Sequence, residues 1–294
     1  QNYTCHLSVY RKALIERLDG IREGTEGAQD YDLILRATEQ TEKIEHIPHV
    51  LYHWRAVEGS TALGAQEKDY AHQKAIEVLN DAIGRRNLSA EVLETGLGAY
   101  HRIRYDLPTP PPSVSVIIPT KDRIDLLSVC LKGLLEKTNY ANFEILVVDN
   151  NSTEAKTFEY FEIIEKNEKV RVLKFPGEFN FSAINNFAVS KAEGEVIILL
   201  NNDIEVINEG WLTELVSQAT RPGVGAVGCR LYYPDDRVQH DGIIIGIGGV
   251  AGYAHPHSKR EDSGEFGRSK IIRNYSAVTA AALAVKKSIY NEVG

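Results

Sequence analysis

Methionine is missing from all 294 residues. A chain without it has no initiator of its own, so it is expected to be an excised piece of something longer; Glu292-Val293-Gly294, following a helical stretch, agrees with that. Cysteine is almost as scarce. Cys5, Cys130 and Cys229 are odd in number, far apart and without C-x-x-C or Cys/His spacing, which excludes a disulfide framework and a zinc ribbon. Buried free thiols in a reducing compartment are expected instead, and with them a cytoplasmic location. No apolar run approaches the roughly 20 residues of a bilayer-spanning helix, and no signal-peptide pattern is present. Positive charge is also in deficit, with 33 Lys and Arg against 41 Asp and Glu and a net charge of −8. That balance excludes a general nucleic-acid or anionic-membrane binder and leaves room for a local basic pocket. The nine histidines show no zinc spacing, and His255-Pro-His257 reads as a surface loop.

What is present is the composition of an ordinary globular chain, 25% charged and 43% hydrophobic, with length for about two domains. The sharpest boundary is Leu107-Pro-Thr-Pro-Pro-Pro112, where four prolines in six residues can continue neither a helix nor a central strand. Beyond it strands and helices alternate. Strands are expected at Val114–Ile118, Phe143–Val148, Val170–Leu173 and Val196–Leu200. Helices are expected at Ile124–Glu136, Glu154–Lys166, Ser182–Ala192 (with Ser182 as N-cap) and Trp211–Ala219. Such alternation predicts a mainly parallel sheet covered by helices on both faces. Before the boundary a mainly helical segment is expected. Its helices are Val9–Leu18, Asp30–Glu39, Gln66–Ile83 and a short one at Ala90–Leu93, with brief strands at Ile44–Ile47 and Val50–Trp54. Cys5–Lys12 and Ala280–Lys287 echo each other at an offset of 275 residues, a period long enough for a whole domain.

Polar clusters stop the apolar runs. Val196-Ile-Ile-Leu-Leu-Asn-Asn-Asp203 ends a buried strand on two amides and a carboxylate. Open α/β sheets bind ligands at that end of their strands, and a hard oxygen donor there suits a divalent cation bridging to a diphosphate. An Asx-rich turn is the plainer alternative. Val114-Ser-Val-Ile-Ile-Pro-Thr-Lys-Asp-Arg123 brings a hydroxyl, a cation and a carboxylate to the same edge. Ile145-Leu-Val-Val-Asp-Asn-Asn-Ser152 adds Asp149, which suits a ribose hydroxyl or a base N–H, or else a helix cap. Phe179-Asn-Phe-Ser-Ala-Ile-Asn-Asn186 opens a further helix.

Together with Tyr232-Tyr-Pro-Asp-Asp-Arg-Val-Gln-His-Asp-Gly242, these segments closely resemble inverting family 2 glycosyltransferases of the GT-A fold, most of all bacterial rhamnosyltransferase-like and polysaccharide-assembly enzymes. The resemblance covers residues 113–294. It implies an α/β, mostly parallel GT-A sheet and transfer of a hexose from an NDP-sugar to a glycan or lipid-linked glycan. Thr120, Asp122 and Asp149 would surround the nucleoside, with Pro119 and Asn151 also donor-binding. Asn185 and Asn186 would lie near the diphosphate or sugar, and Asn202 and Asp203 at the Asp-x-Asp position, Asp203 holding Mn2+ or Mg2+. Asn201 stands where the family's first Asp usually does, which weakens metal binding. Glu205 would help only if the chain stays extended, and His240-Asp241 would face the sugar or form a turn. Peripheral association with a membrane assembly complex is compatible with this reading, as is the absence of nucleic-acid partners.

Leu18–Glu23, Glu26–Leu33 and His46–Arg55 resemble the acceptor half of such an enzyme. By that resemblance residues 1–58 are the acceptor-side remnant of an upstream transferase, with Asp30 as its base and His53 as a further metal ligand. Residues 59–112 are a helical connector and Pro-rich linker, and 113–294 the donor-binding part of a second domain whose own base lies beyond it. The isolated chain is then expected to be inactive. The alternative is a non-catalytic scaffold or interaction module with a degenerate donor pocket. A nucleotidyltransferase fits poorly, because Pro-Thr-Lys-Asp-Arg stands where its Gly-rich phosphate loop would.

Overall fold

The computed structural model describes residues 2, 4, 7–49, 51, 53, 55, 69–97 and 100–293. It divides into two units, residues 1–105 with 265–272, and residues 106–264 with 273–294. No helix among the described residues is long and apolar enough to cross a membrane.

In the first unit, α1 (Lys12–Arg17) and α2 (Gln29–Thr38) are joined by a turn, and α3 (Asp69–Arg85) packs on α2. Leu33 and Ala37 of α2 and Val78, Leu79 and Ala82 of α3 are buried. Asp32, fully buried, ties the layers: its oxygens lie 2.9 Å from Arg22 and 2.8 Å from Arg36. Arg22 also reaches Asp81 of α3, and Arg36 donates to the carbonyls of Leu18 and Gly20. The expected helix at Ala90–Leu93 is instead a strand, β1 (Ala90–Glu94), antiparallel to β2 (His101–Tyr105) with Val92 opposite Ile103. Four residues are too few for helical periodicity to declare itself, and the hairpin partner decided the matter. The segment is therefore less helical than expected. Ile44–Ile47 forms no strand, and Val50, Tyr52 and Trp54 lie outside the described residues. The echo of the C-terminal strand and helix extends only to a helix here, with residues 7–10 irregular; Cys5 and His6 are not described.

His101 of β2 stacks on His72 of α3, ring centroids 4.7 Å apart. Burial, and then the charge of His72, push its pKa down to about 4 from 6.5. Between these values the unfolded chain binds the proton that the folded one refuses, so stability falls as pH drops through that window. Thermal melts are expected to show the first unit weakening from pH 7 to pH 4, and His101→Phe flattening that dependence; a slope unchanged in His101→Phe would refute this cause.

The strands of the second unit's main sheet are β3 (Val114–Thr120), β4 (Phe143–Asp149), β5 (Val170–Lys174), β6 (Val196–Leu200), β7 (Ala226–Gly228) and β12 (Ala282–Lys286). These six lie side by side in the order β5-β4-β3-β6-β12-β7. The first four are parallel, and β12 runs antiparallel between β6 and β7. Val116, Ile118, Ile145, Val147, Ile198 and Leu200 point to one face, under α4 (Ile124–Lys137), α5 (Ala155–Ile164) and α7 (Trp211–Ala219). Ile117, Leu146, Val148, Ile197 and Leu199 point to the other, under α6 (Phe181–Lys191) and α8 (Lys287–Val293). Continuous apolar strands are the signature of a sheet buried on both sides. The N-cap of α6 is Asn180, whose side chain accepts from the Ala183 N–H, rather than Ser182. Two hairpins, β8–β9 (Leu231–Tyr232, Val238–His240) and β10–β11 (Ile243–Ile245, Ala251–Tyr253), fill the stretch before β12. Gly194 lets the chain pass β3: a Cβ there would meet Ser115 N at 2.3 Å.

Candidate active site

The parallel strands deliver their polar ends to one edge. In the ladder Thr120 of β3 is the partner of Asp149 of β4. Pairing of β3 with β6 stops at Ile117 opposite Leu199, so Pro119 stands where no ladder N–H is required of it on that side. The chain after β6 turns at 201–203, and Asn202 Nδ2 donates to Thr120 Oγ1 at 3.0 Å, joining the two strand ends. Asn201 N–H donates to the Ala281 carbonyl at 3.0 Å. Asp203 is left exposed on this turn. Its charge is felt by Arg123 and by Cys130, whose thiol is pushed up to about 12 by burial first and by Asp203 second. Glu205 turns away to Lys137, at 3.5 Å, because the chain bends rather than staying extended.

Asp122 and Asp149 are held by local bonds. Asp149 is buried and its Oδ1 accepts from the Ser152 N–H. Asp122 Oδ1 accepts from the N–H groups of Thr153 and Glu154, both at 3.0 Å, and from Thr157 Oγ1. These bonds hold its carboxyl below the usual range, the Glu154 N–H foremost. Asp122 thus caps α5 from a neighbouring loop. Its own N–H donates to Ser152 Oγ at 2.8 Å, so the loops after β3 and β4 are bolted together. Asn151 is exposed, with its amide on the Gly177 carbonyl. Asn185, in α6, is buried; its Nδ2 donates to the Phe181 carbonyl and its Oδ1 has no hydrogen-bond partner among the described residues. Asn186 accepts from Tyr290 of α8 at 2.7 Å.

His240 is a further member. Its Nε2 accepts from the N–H groups of Gly242 and Thr279, each at 3.3 Å, which leaves the proton on Nδ1, a buried atom without a hydrogen-bond partner among the described residues. Burial lowers its pKa. Thr279 is two residues from Ala281, the acceptor for Asn201, so His240 belongs to the neighbourhood of the 201–203 turn. Asp241 turns to His255, 2.9 Å away.

The edge therefore gathers Pro119, Thr120, Asp122, Asp149, Asn151, Asn202 and Asp203. Asn185 lies in the second turn of α6, and Asn186 is taken up by α8. Asp30 and His53 belong to the first unit, both exposed, Asp30 accepting from Asn2 at the first turn of α2. The sequence alone assigns no binding role to Ser152, although it stands in a polar cluster, because its bond to Asp122 spans 30 residues.

No group of three or more His, Cys, Asp or Glu able to hold a metal occurs among the described residues. The single carboxylate Asp203 fits a cation that arrives with a diphosphate, since Mg2+ is ordinarily held by one or two carboxylates and substrate phosphates.

The profile of Glycosyl transferase family 2 matches residues 115–278. Over the whole chain the sequence is 46% identical to the uncharacterized protein y4gI of Sinorhizobium fredii, covering 33% of it. It is 40% identical, again over the whole chain, to the O-antigen biosynthesis protein RfbC of Myxococcus xanthus, covering 23% of that protein. The chain thus spans a third or less of these relatives' length. A mannosyltransferase from Pyrobaculum calidifontis, solved with GDP-Man and Mn2+, aligns over 58% of this chain and 47% of its own at 22% identity and a TM-score of 0.40. With the family profile covering more than half of its residues, the chain belongs to glycosyl transferase family 2.

Proposed function

We propose that the second unit is the donor half of an inverting glycosyltransferase that moves a hexose from an NDP-sugar onto a glycan or lipid-linked glycan in bacterial surface polysaccharide assembly. The observation that supports this reading is the bond from Asn202, the residue before Asp203, to Thr120, itself the ladder partner of Asp149. Asp149 would accept from the nucleoside, while Asp122 and Ser152 fix the loop that shapes its pocket. Asp203 would hold Mn2+ or Mg2+, which supplies charge neutralisation for the departing diphosphate. The similarity to an O-antigen biosynthesis protein supports the polysaccharide assignment. Inversion needs a carboxylate base on the face opposite the diphosphate. Asp30, exposed at the start of α2, is our candidate for that role in an upstream transferase. His53 remains a candidate metal ligand there. A cytoplasmic location with peripheral attachment to a membrane complex accords with an NDP-sugar donor.

Calorimetry with UDP-, GDP- and dTDP-sugars, with and without Mn2+, tests the reading. One nucleotide series is expected to bind, more tightly with the metal. No heat from any of them in either condition would reject it.

A further inference from the structure

We propose that Arg123 holds the diphosphate of the donor, as a built-in cation beside a turn that has only one carboxylate with which to recruit a metal. The inference rests on the donor-site reading above and names the group that receives the phosphates.

Four observations carry it. Asp122 and Arg123 are consecutive non-glycine residues in left-handed backbone, φ 51° and 52°, a conformation with a steric cost for any residue bearing a Cβ. A helix does not need it to begin; an extended residue is the ordinary start. The shape is locked by the bonds that Asp122 makes to Thr153, Glu154, Thr157 and Ser152, so the loop is built to present residue 123 in one place. That place is the donor edge. The helix that Arg123 opens, α4, passes the 201–206 segment: Cys130 Sγ lies 3.8 Å from the Asn201 carbonyl, and a Cβ at Gly133 would lie 3.3 Å from Val206 N. Arg123 and Asp203 are within electrostatic reach of one another.

The guanidinium is held meanwhile by a paired contact to Asp125, Nε to Oδ1 at 3.0 Å and Nη2 to Oδ2 at 2.8 Å. Both side chains are well exposed, 60% and 63%, and an exposed pair of this kind is weak. A diphosphate carries more charge than Asp125 and matches the same planar fork, so it displaces the carboxylate. Asn201 and Asn202 remove the negative charge that would otherwise compete for Arg123. A permanently charged guanidinium needs no ligand set, which suits a turn that provides none beyond Asp203.

The test is calorimetry on the full chain with UDP, GDP and dTDP and with the corresponding nucleosides, in EDTA and in Mn2+. Wild type is expected to bind one diphosphate in EDTA. Arg123→Gln is expected to weaken that binding at least about tenfold, the loss of a charge-assisted bond, with nucleoside affinity unchanged. Arg123→Lys should recover part of it, Asp125→Asn should tighten it by releasing the guanidinium, and Lys132→Ala, elsewhere on α4, should leave it alone. Asp125→Asn keeps Arg123 intact and carries the test if Arg123→Gln folds poorly. Diphosphate binding in EDTA that is equal in Arg123→Gln and wild type, or lost only in Lys121→Ala, would overturn the assignment alone. Wild-type binding that requires Mn2+ would overturn it too. No binding of any diphosphate by wild type in either condition would overturn the donor-site reading with it.

Discussion

Asp203→Ala is expected to leave the fold intact and to lower sugar transfer by the complete protein about 10²–10³-fold, the range for removing one preorganised electrostatic group. The turn that carries Asp203 is shaped by neighbours, with Asn202 on Thr120 and Asn201 on the Ala281 carbonyl. The exposed Asp203 side chain supports none of this, so the melting curve should hardly move; exposed substitutions of that sort stay within about 0.5 kcal/mol. In a site with two acidic ligands, losing one leaves a partial cation site. Here Asp203 is the one carboxylate of the 201–203 turn, and no group of three or more His, Cys, Asp or Glu able to hold a metal occurs among the described residues, so the metal dependence of donor binding should fall with it. Asp203→Asn should be nearly as severe, because charge and not shape is what is lost. Initial rates in Mn2+, set beside donor calorimetry, measure both effects. Undiminished transfer by Asp203→Ala would favour the alternative of a degenerate pocket in a scaffold module.

Asp32→Ala is expected to destabilise the first unit by about 3–5 kcal/mol, the cost of breaking a buried ion pair from one side. The Asp32 side chain is wholly inaccessible and the Arg36 side chain is 12% exposed, so the guanidinium left behind could not be rehydrated in place. The loss would spread through both arginines: Arg36 closes the turn after α1 through the Leu18 and Gly20 carbonyls, and Arg22 links α2 to Asp81 of α3. Hydrogen exchange should show α2 and α3 opening while β3, β4 and β6 keep their protection. Asp32→Asn, which keeps the shape and some of the hydrogen bonding, should cost less. Unchanged protection in Asp32→Ala would mean that this ion cluster contributes nothing to stability.

The parallel sheet was legible from the chain because its strands are apolar without interruption. Val196–Leu200 and Trp211–Ala219 fall on their predicted bounds, and the other elements beyond the prolines within three residues at each end. The hairpins between α7 and β12 were not legible. Their strands have two or three residues each, too short for any period, and Gly242 is required there by a contact with Tyr275, whose ring a Cβ would meet at 2.2 Å. β1, five residues long, was misread for a different reason. Its partner β2 lies beyond an intervening loop, and pairing across that loop has no local signature.

The Leu199-Leu200-Asn201-Asn202-Asp203 run shows where the division falls. Sequence alone determined that an apolar strand ends there on amides and one carboxylate, because hydrophobic burial and the restricted chemistry of strand ends are written in residue order. It likewise determined that Pro119, Thr120 and Asp122 follow one buried strand and Asp149 another. What each polar group does was decided by tertiary structure, since a carboxylate has the same formula whether it meets solvent, a backbone N–H or a cation. Asp122 caps a helix reached through another loop, Asn202 bridges to Thr120, Asn186 turns to Tyr290, and Asp203 is left exposed. Those outcomes depend on distances between residues 30 to more than 100 positions apart in the chain, and only packing sets them.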